Sequence, residues 1–194
     1  MRTRLFLILS LLTCMTTVSA QSWHDVTDLF IVNPRFDNND RTTGWQGTPF
    51  GAYNPKENAE HYQMTFDSYQ EIKGLQPNTK YRLSLDAFYR YGSYTNDYNA
   101  YKTGNYAEYQ HARLYAESGN KYYDTGIKLL GSGARTSSLG GGTVSIRDGW
   151  TTYYVPNNME SAYYWFDNGY YDNQIEFTSG SDGTARIGVK KDVW

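Results

Sequence analysis

The stretch 64–90 alternates apolar and polar residues, and this pattern constrains the fold more than any other feature of the chain. One strand-like stretch ends at Ile72, the turn 73–79 follows with Gly74 and Pro77, and a second alternating stretch begins at Tyr81. A period of two places successive side chains on opposite faces of a β-strand, whereas a helix repeats about every 3.6 residues. We therefore predict two antiparallel strands joined as a hairpin with one buried face.

Further segments repeat this alternation at 112–116, 175–177 and 185–189, where every second residue is Ala, Leu, Ile, Phe or Val. The last two segments are joined by 179–183, in which Asp182-Gly183 supplies a positive φ angle at low cost. The sequence therefore predicts a second hairpin. With 20 Tyr and 18 Gly, the composition also favours strands over helices.

Two short segments carry helix signals. Asn157 or Asn158 can cap a helix over 159–166, and Gly169 is placed to end it. One or two helical turns around 96–102 would end at Gly104. Because these helices are only connections, we predict an all-β protein, an antiparallel β-sandwich with one or two short connecting helices, in a single domain over 21–194.

The first twenty residues differ from the rest of the chain. Arg2 and Arg4 precede the short apolar run 5–12, and small residues lead up to Ala20. This pattern is typical of a secretory signal peptide cut after Ala20, and the run is too short to cross a bilayer. We expect a secreted or cell-surface protein without a transmembrane segment. A lipoprotein acylated at Cys14 is the less favoured alternative, because a good cleavage site follows.

Charge and cysteine content exclude several function classes. Cleavage after Ala20 removes two of the 18 basic residues and none of the 20 acidic residues, which leaves a net charge of about −4. Nucleic acid and acidic membranes need a basic patch, so we expect neither as a partner. Cys14 is the only cysteine. The mature chain therefore has no disulfide, zinc–thiolate site or cysteine nucleophile.

The sequence shows no catalytic constellation. None of the three histidines has a partner at metal-ligand spacing, and no Gly-x-Ser-x-Gly motif occurs. The glycine-rich stretch 131–142 lacks the Gly-Lys-Ser/Thr ending of a phosphate loop, and we interpret it as an ordinary flexible loop. A pair of carboxylates that meet in space stays open as an alternative. We expect a binding protein rather than an enzyme.

The most unusual segment is 91–109, which carries six tyrosines among Asn, Gly and Thr. Sugar rings have flat C–H faces edged by hydroxyls, so a sugar site needs rigid aromatic rings with polar groups beside them. The same mixture of residues also suits loops that bind protein. Alternatively, individual tyrosine rings could pack over the open end of the sandwich instead of binding a ligand. The predicted ligand-binding residues are Tyr53, Arg90, Tyr91, Tyr94, Tyr98, Tyr101 and Tyr106.

Motifs spread along the mature chain resemble those of one known family. They are Leu29-Phe30-Ile31-Val32-Asn33-Pro34-Arg35-Phe36-Asp37 followed by Gly44-Trp45, the segment 69–84, and the short stretches 112–116, 155–159 and 187–191. Together they resemble the galactose-binding-like carbohydrate-binding modules of secreted bacterial polysaccharide-degrading proteins.

The resemblance implies a jelly-roll β-sandwich of about eight strands, with sugar bound at the loop end or on a concave sheet face. It also implies a structural calcium ion where the first strand meets the last, with Asp37 as one ligand. Relatives continue past the strand at 187–191 into a closing strand that has no counterpart before Trp194. We therefore expect that the domain is truncated at its C-terminus.

These observations lead to three hypotheses about function. The first is a non-catalytic carbohydrate-binding module that binds a poly- or oligosaccharide through its aromatic loop. The second is a surface adhesion or scaffold domain that binds protein. The third is a hydrolase that uses a pair of carboxylates. If the chain is a fragment, it is an accessory part of a larger glycoside hydrolase with the catalytic domain elsewhere.

Overall fold

The computed structural model describes residues 22–36, 40, 42–50, 65–104 and 111–192. Within these residues the chain forms nine β-strands, three α-helices and one 3-10 helix. The strands are β1 (Gln46–Gly47), β2 (Phe66–Lys73), β3 (Lys80–Asp86), β4 (Ala112–Ser118), β5 (Lys121–Gly126), β6 (Thr143–Asp148), β7 (Thr151–Pro156), β8 (Asp172–Thr178) and β9 (Thr184–Lys191). The helices are α1 (Thr27–Phe30), α2 (Tyr94–Thr103), α3 (Met159–Asp167) and the 3-10 helix Leu130–Gly133.

The strands form one large sheet and two strand pairs. The large sheet has the order β1-β2-β9-β4-β5, with β9 at its centre. Ile72 of β2 lies opposite Ala185 of β9, and Leu114 of β4 lies opposite Val189 of β9. The remaining strands form the pairs β3–β8 and β6–β7. Every pair of named strands is antiparallel, which confirms the all-β prediction.

The main core lies between the large sheet and the β3–β8 pair, because β8 packs across β4 and β5. Alternate residues of each strand face this core: Ile72, Ala112, Leu114, Ala116, Ile175, Phe177, Ala185 and Ile187 are all buried in it. A second buried cluster joins α2, the 3-10 helix, the β6–β7 pair and α3. This second cluster forms the support for the loop that follows β3.

The two predicted hairpins are wrong, although the predicted strands exist. β2 pairs with β1 and β9, whereas β3 pairs with β8, so the turn 74–79 crosses from one sheet to the other. The turn 179–183 crosses in the same way between β8 and β9. The two turns lie side by side, since the Leu75 N–H donates to the Gly183 carbonyl. Alternation shows which face of a strand is buried. It does not show whether two consecutive strands pair in one sheet or pack against each other across the core, because the same face is buried in both cases.

Both predicted helices are confirmed. Asn158 caps α3 in a capping box with Ser161, and Gly169 follows the helix with a φ of 76°. α2 ends at Gly104, which has a left-handed conformation with the same φ value and no Cβ to oppose it. No helix in the described part of the chain is long and apolar enough to cross a membrane.

One edge of β3 carries no strand partner among the described residues. The Ser179 N–H donates to the Thr79 carbonyl, and the Ala87 N–H donates to the Tyr171 carbonyl. The bonded positions of an antiparallel ladder alternate. The backbone N–H and C=O groups of the odd-numbered residues of β3 therefore point toward β8, and those of Ser84 point away from it. An apolar groove is lined by β3, by the N-terminal segment 22–36 and by core residues of the large sheet such as Ile72 and Leu114.

Candidate functional site

The loop after β3 is held in place from two sides. On one side, the Tyr89 N–H donates to the Lys128 carbonyl at 2.8 Å, and the Tyr89 carbonyl accepts from the Leu130 N–H at 2.9 Å. On the other side, Oδ1 of Asp97 accepts the N–H groups of Tyr91 at 2.9 Å and Gly92 at 3.1 Å. These bonds fix the direction in which the chain presents residues 90–92.

Asp97 reaches this loop because α2 is anchored at its start and packed closely along its side. The Ser93 hydroxyl accepts the Asn96 N–H and caps the helix. Behind the helix, a Cβ added to Gly131 would lie 2.3 Å from the Asp97 carbonyl oxygen, so only glycine permits this approach. The first part of the glycine-rich stretch is therefore a buried 3-10 helix that supports α2, and the prediction of a flexible loop is wrong there.

The Asp97 carboxylate is completely buried. Its Oδ2 atom has no hydrogen-bond partner among the described residues and lies 3.5 Å from Nε of Arg90. Burial raises the pKa of the Asp97 carboxyl, while the N–H groups of Tyr91 and Gly92 and the Arg90 charge act in the opposite direction. The Asp97 charge therefore contributes to orienting Arg90 at a cost in desolvation.

Arg90 is the centre of the site. Its guanidinium carbon lies 3.9 Å from the centre of the Tyr94 ring, and its Nη2 donates to the Gly92 carbonyl at 3.0 Å. The Tyr94 hydroxyl donates to Oδ1 of Asn157 at 2.8 Å. We call Arg90, Tyr91, Gly92, Tyr94 and Asn157 the Arg90 cluster.

Asn157 comes to the cluster from a distant part of the sequence. It lies between β7 and α3, and its N–H donates to the Ser161 hydroxyl at 2.9 Å. Its neighbour Asn158 caps α3. The start of the helix therefore fixes the backbone that carries the Asn157 side chain. The cluster thus combines a chain segment that follows β3 with one that precedes α3.

The Arg90 cluster borders the apolar groove beside β3, to which Met159 and Tyr163 of α3 also contribute. Tyr91 is 50% exposed, and the Arg90 guanidinium is half-exposed. The cluster therefore presents aromatic surface, a planar hydrogen-bond donor and an amide at one place. Such a set can bind a ligand that has both an apolar face and hydroxyl or carbonyl groups.

The other predicted ligand-binding residues lie elsewhere. Tyr98 is 6% exposed and packs its ring 4.9 Å from that of Tyr153, with its hydroxyl donating to Asp148. Its ring therefore belongs to the second buried cluster and offers no face to a ligand. Tyr101 is 42% exposed near the C-terminal end of α2, away from Arg90. Tyr53 and Tyr106 lie outside the described residues.

The outer face of the large sheet is the other surface to consider, because the resemblance implies sugar binding at the loop end or on a sheet face. There the Arg186 guanidinium lies 3.4 Å from the Tyr69 ring centre and 3.2 Å from Oδ2 of Asp67. Tyr115 contacts Gly188, is almost fully buried, and donates to Asp67 at 2.6 Å. The aromatic and charged groups of this face thus contact one another and fill its centre.

The predicted calcium ligand, Asp37, lies outside the described residues. In the part of the chain that the structure describes, no three His, Cys, Asp or Glu side chains come together as a metal site would require. Calcium binding therefore stays a prediction.

Sequence reasoning missed Asp97 and Asn157. Asp97 could have been noticed as an acidic residue in the first turn of a capped helix, where its charge is stabilised. No local signal distinguishes Asn157 from its neighbour, because both can cap α3. Gly131 did not stand out from the flexible loop that the sequence predicts, since glycine occurs both in flexible loops and where two backbones approach closely.

Comparison with known proteins identifies no relative of this chain: no family model, no curated protein and no solved structure matches it.

Proposed function

We propose that this chain is a non-catalytic carbohydrate-binding module of a secreted or cell-surface protein, and that the Arg90 cluster is its sugar-binding site. The proposal includes a jelly-roll arrangement of the strands. The antiparallel strands, the turns that cross between the sheets and the sequence resemblance support that arrangement.

The observation that carries the proposal is the geometry of Arg90, Tyr94 and Asn157. A sugar ring offers an apolar C–H face and a rim of hydroxyl groups. The half-exposed Tyr91 ring supplies aromatic surface beside the cluster, the guanidinium donates hydrogen bonds in a fixed plane, and the Asn157 amide both donates and accepts. The Gly92 carbonyl and the Tyr94 ring hold the guanidinium, and the Tyr94 hydroxyl holds the Asn157 amide, so these two groups lose little conformational entropy on binding.

The loop end is a better candidate than the outer sheet face. On the sheet face Arg186 is already paired with Asp67, and Tyr115 is buried. A ligand there would have to displace these contacts. At the Arg90 cluster the aromatic and polar groups border a groove, and Tyr91 is half-exposed beside it.

Affinity electrophoresis through xylan, mannan, β-glucan, pectin and mucin tests the proposal. The chain should be retarded by at least one of these polymers, and the variants Arg90→Ala and Tyr91→Ala should abolish the retardation. Tyr122→Ala serves as the matched control, because it removes an exposed ring from the outer sheet face. Loss of binding in the control alone would move the site to that face, and retardation by none of the glycans would contradict the proposal.

Protein binding is the second candidate function, and the edge of β3 that pairs with no described strand is the observation that favours it. The backbone groups of β3 that point away from β8 can pair with one extended peptide. The half-buried side chains of Tyr81, Leu83 and Leu85 line the groove beside that edge. The expected occupant is therefore a single strand with apolar residues at alternate positions.

Hydrogen exchange separates the two candidates. A synthetic peptide of alternating Val and Thr should slow the exchange of the Ser84 amide if the edge accepts a strand. The same peptide should leave the amides of β9 unchanged, because that strand is paired on both sides. Exchange at Ser84 that is unaffected by the peptide would contradict protein binding by this route.

A further inference from the structure

The tip of the β6–β7 hairpin carries an aromatic ring whose exposure no feature of the fold explains. Asp148 pairs with Thr151, which leaves Gly149 and Trp150 as the two turn residues. Gly149 has a φ of 60°, as the first position of a type II′ turn requires. Trp150 then projects from the tip and is 97% exposed.

The hairpin beneath Trp150 is held firmly. Ile146 and Val155 are fully buried in the second cluster. Asp148, at the base of the turn, accepts hydrogen bonds from the Tyr98 hydroxyl at 3.0 Å and the Lys102 ammonium at 2.5 Å. An exposed ring on a rigid support is costly to leave in water and loses little entropy when a ligand covers it.

The surroundings of Trp150 combine aromatic and polar groups. Lys102, in the last turn of α2, lies at the tip because it bonds to Asp148, and its chain neighbour Tyr101 is 42% exposed. On the hairpin, Nε of Arg147 donates to the Gly149 carbonyl and holds its guanidinium beside the turn. These are the groups that a sugar ring and its hydroxyls require.

α2 connects this tip to the Arg90 cluster. The helix begins at Tyr94, whose hydroxyl bonds to Asn157 at the open end of the hairpin, and its last turn contains Lys102, which bonds to the tip. Its 10 residues span about 15 Å. Two aromatic sites at this separation suit consecutive parts of one extended polymer.

We propose that Trp150 is a second sugar-binding platform, which makes the chain a binder of extended polysaccharide rather than of a single sugar unit. The inference rests on the proposed function, which assigns the first site to the Arg90 cluster. Two linked sites raise the affinity for a polymer without raising it for a ligand that reaches only one of them.

The test compares each polysaccharide of the electrophoresis panel with the disaccharide of its repeating unit, by titration calorimetry on the full chain. Wild-type protein should bind the polymer at least about tenfold more tightly than the disaccharide, per binding site. Trp150→Ala should remove this difference and leave the disaccharide affinity unchanged. Tyr122→Ala, which removes an exposed ring on another face, should bind both ligands as the wild type does.

Fluorescence supplies a second measurement that does not depend on affinity. The other described tryptophans are half-buried or fully buried, so acrylamide should quench Trp150 more strongly than it quenches Trp23, Trp45 and Trp165. Saturating polymer should protect the wild type from this quenching and should protect Trp150→Ala much less. Thermal unfolding of Trp150→Ala should match that of the wild type, because the ring has no packing to lose.

The outcomes separate this inference from the proposed function. If Arg90→Ala loses binding while Trp150→Ala binds polymer as tightly as the wild type, the second platform is overturned and the first site stands. If wild-type protein binds no glycan in the panel, both are overturned.

Discussion

The guanidinium of Arg90 lies 3.9 Å from the ring centre of Tyr94, and a buried carboxylate 3.5 Å away orients it. Stacking on a ring and donating in a plane are properties of arginine that lysine lacks. The contact therefore depends on the shape of the side chain as well as on its charge.

Arg90→Lys should consequently fail to preserve glycan binding, with an affinity loss of about tenfold or more. The free energy of unfolding should change by less than about 0.5 kcal/mol, because the side chain is half-exposed and lysine keeps a positive charge near the buried Asp97 carboxylate. Affinity electrophoresis and urea denaturation measure the two quantities. A lysine variant that binds normally would show that only the positive charge matters.

Asp97 should tolerate replacement by asparagine better than by alanine. Asparagine keeps an oxygen for the N–H groups of Tyr91 and Gly92, whereas alanine removes the acceptor of both of these partly buried hydrogen bonds. We expect Asp97→Ala to cost about 1–3 kcal/mol more than Asp97→Asn in urea denaturation at pH 7. Equal losses in the two variants would mean that these two hydrogen bonds contribute nothing to stability.

The stability of the wild type relative to Asp97→Asn should depend on pH. Because burial raises the pKa of Asp97, the folded state holds this proton more tightly than the unfolded state does. The Asp97 contribution to stability is therefore largest below the pKa of an unfolded aspartate and decreases as the pH rises through the raised value. Urea denaturation from about pH 3 to about pH 7 should show wild type losing stability relative to Asp97→Asn. A constant difference would contradict the raised pKa.

Gly131→Ala should destabilise the protein by about 1–3 kcal/mol, because its Cβ would collide with the backbone of α2. The displaced helix should also weaken glycan binding through Asp97. Gly142→Ala is the matched control in the same glycine-rich stretch, since its Cβ would meet only the Asn158 amide at 3.5 Å. Thermal denaturation and affinity electrophoresis measure both effects, and equal behaviour of the two variants would contradict the close approach of α2.

Proline substitutions test the free edge of β3. The Ser84 N–H points away from β8, so Ser84→Pro removes no bond of the ladder. Leu83→Pro removes one and should be less stable than Leu83→Ala by about 1 kcal/mol or more. Urea denaturation of the three variants provides the comparison. A loss for Ser84→Pro as large as that for Leu83→Pro would show that another strand pairs with this edge.

Much of the local structure could be predicted from the sequence. Alternation marks which residues of β3 and β9 face the core. Asn158 and Gly104 mark helix ends, since a side-chain cap and a left-handed glycine act within a few residues of the chain. These signals are local, and distant parts of the chain do not alter them.

The candidate site could be predicted only in part. Arg90, Tyr91 and Tyr94 are close in sequence and lie together in the fold, where their rings and polar groups remain accessible. Tyr98 belongs to the same segment but turns inward, because the next turns of α2 pack against the 3-10 helix and the β6–β7 hairpin. Which tyrosine is exposed depends on these packing partners, and they come from elsewhere in the sequence.

The sequence by itself determined that this chain is built from strands with one buried face and from two capped connecting helices, because side-chain period and capping are short-range. Only the tertiary structure decided that β2 and β3 belong to different sheets, and that Asn157 meets Tyr94 across 63 residues. Burial is satisfied equally by a neighbour in the same sheet and by a partner across the core. Packing of the whole chain selects between them.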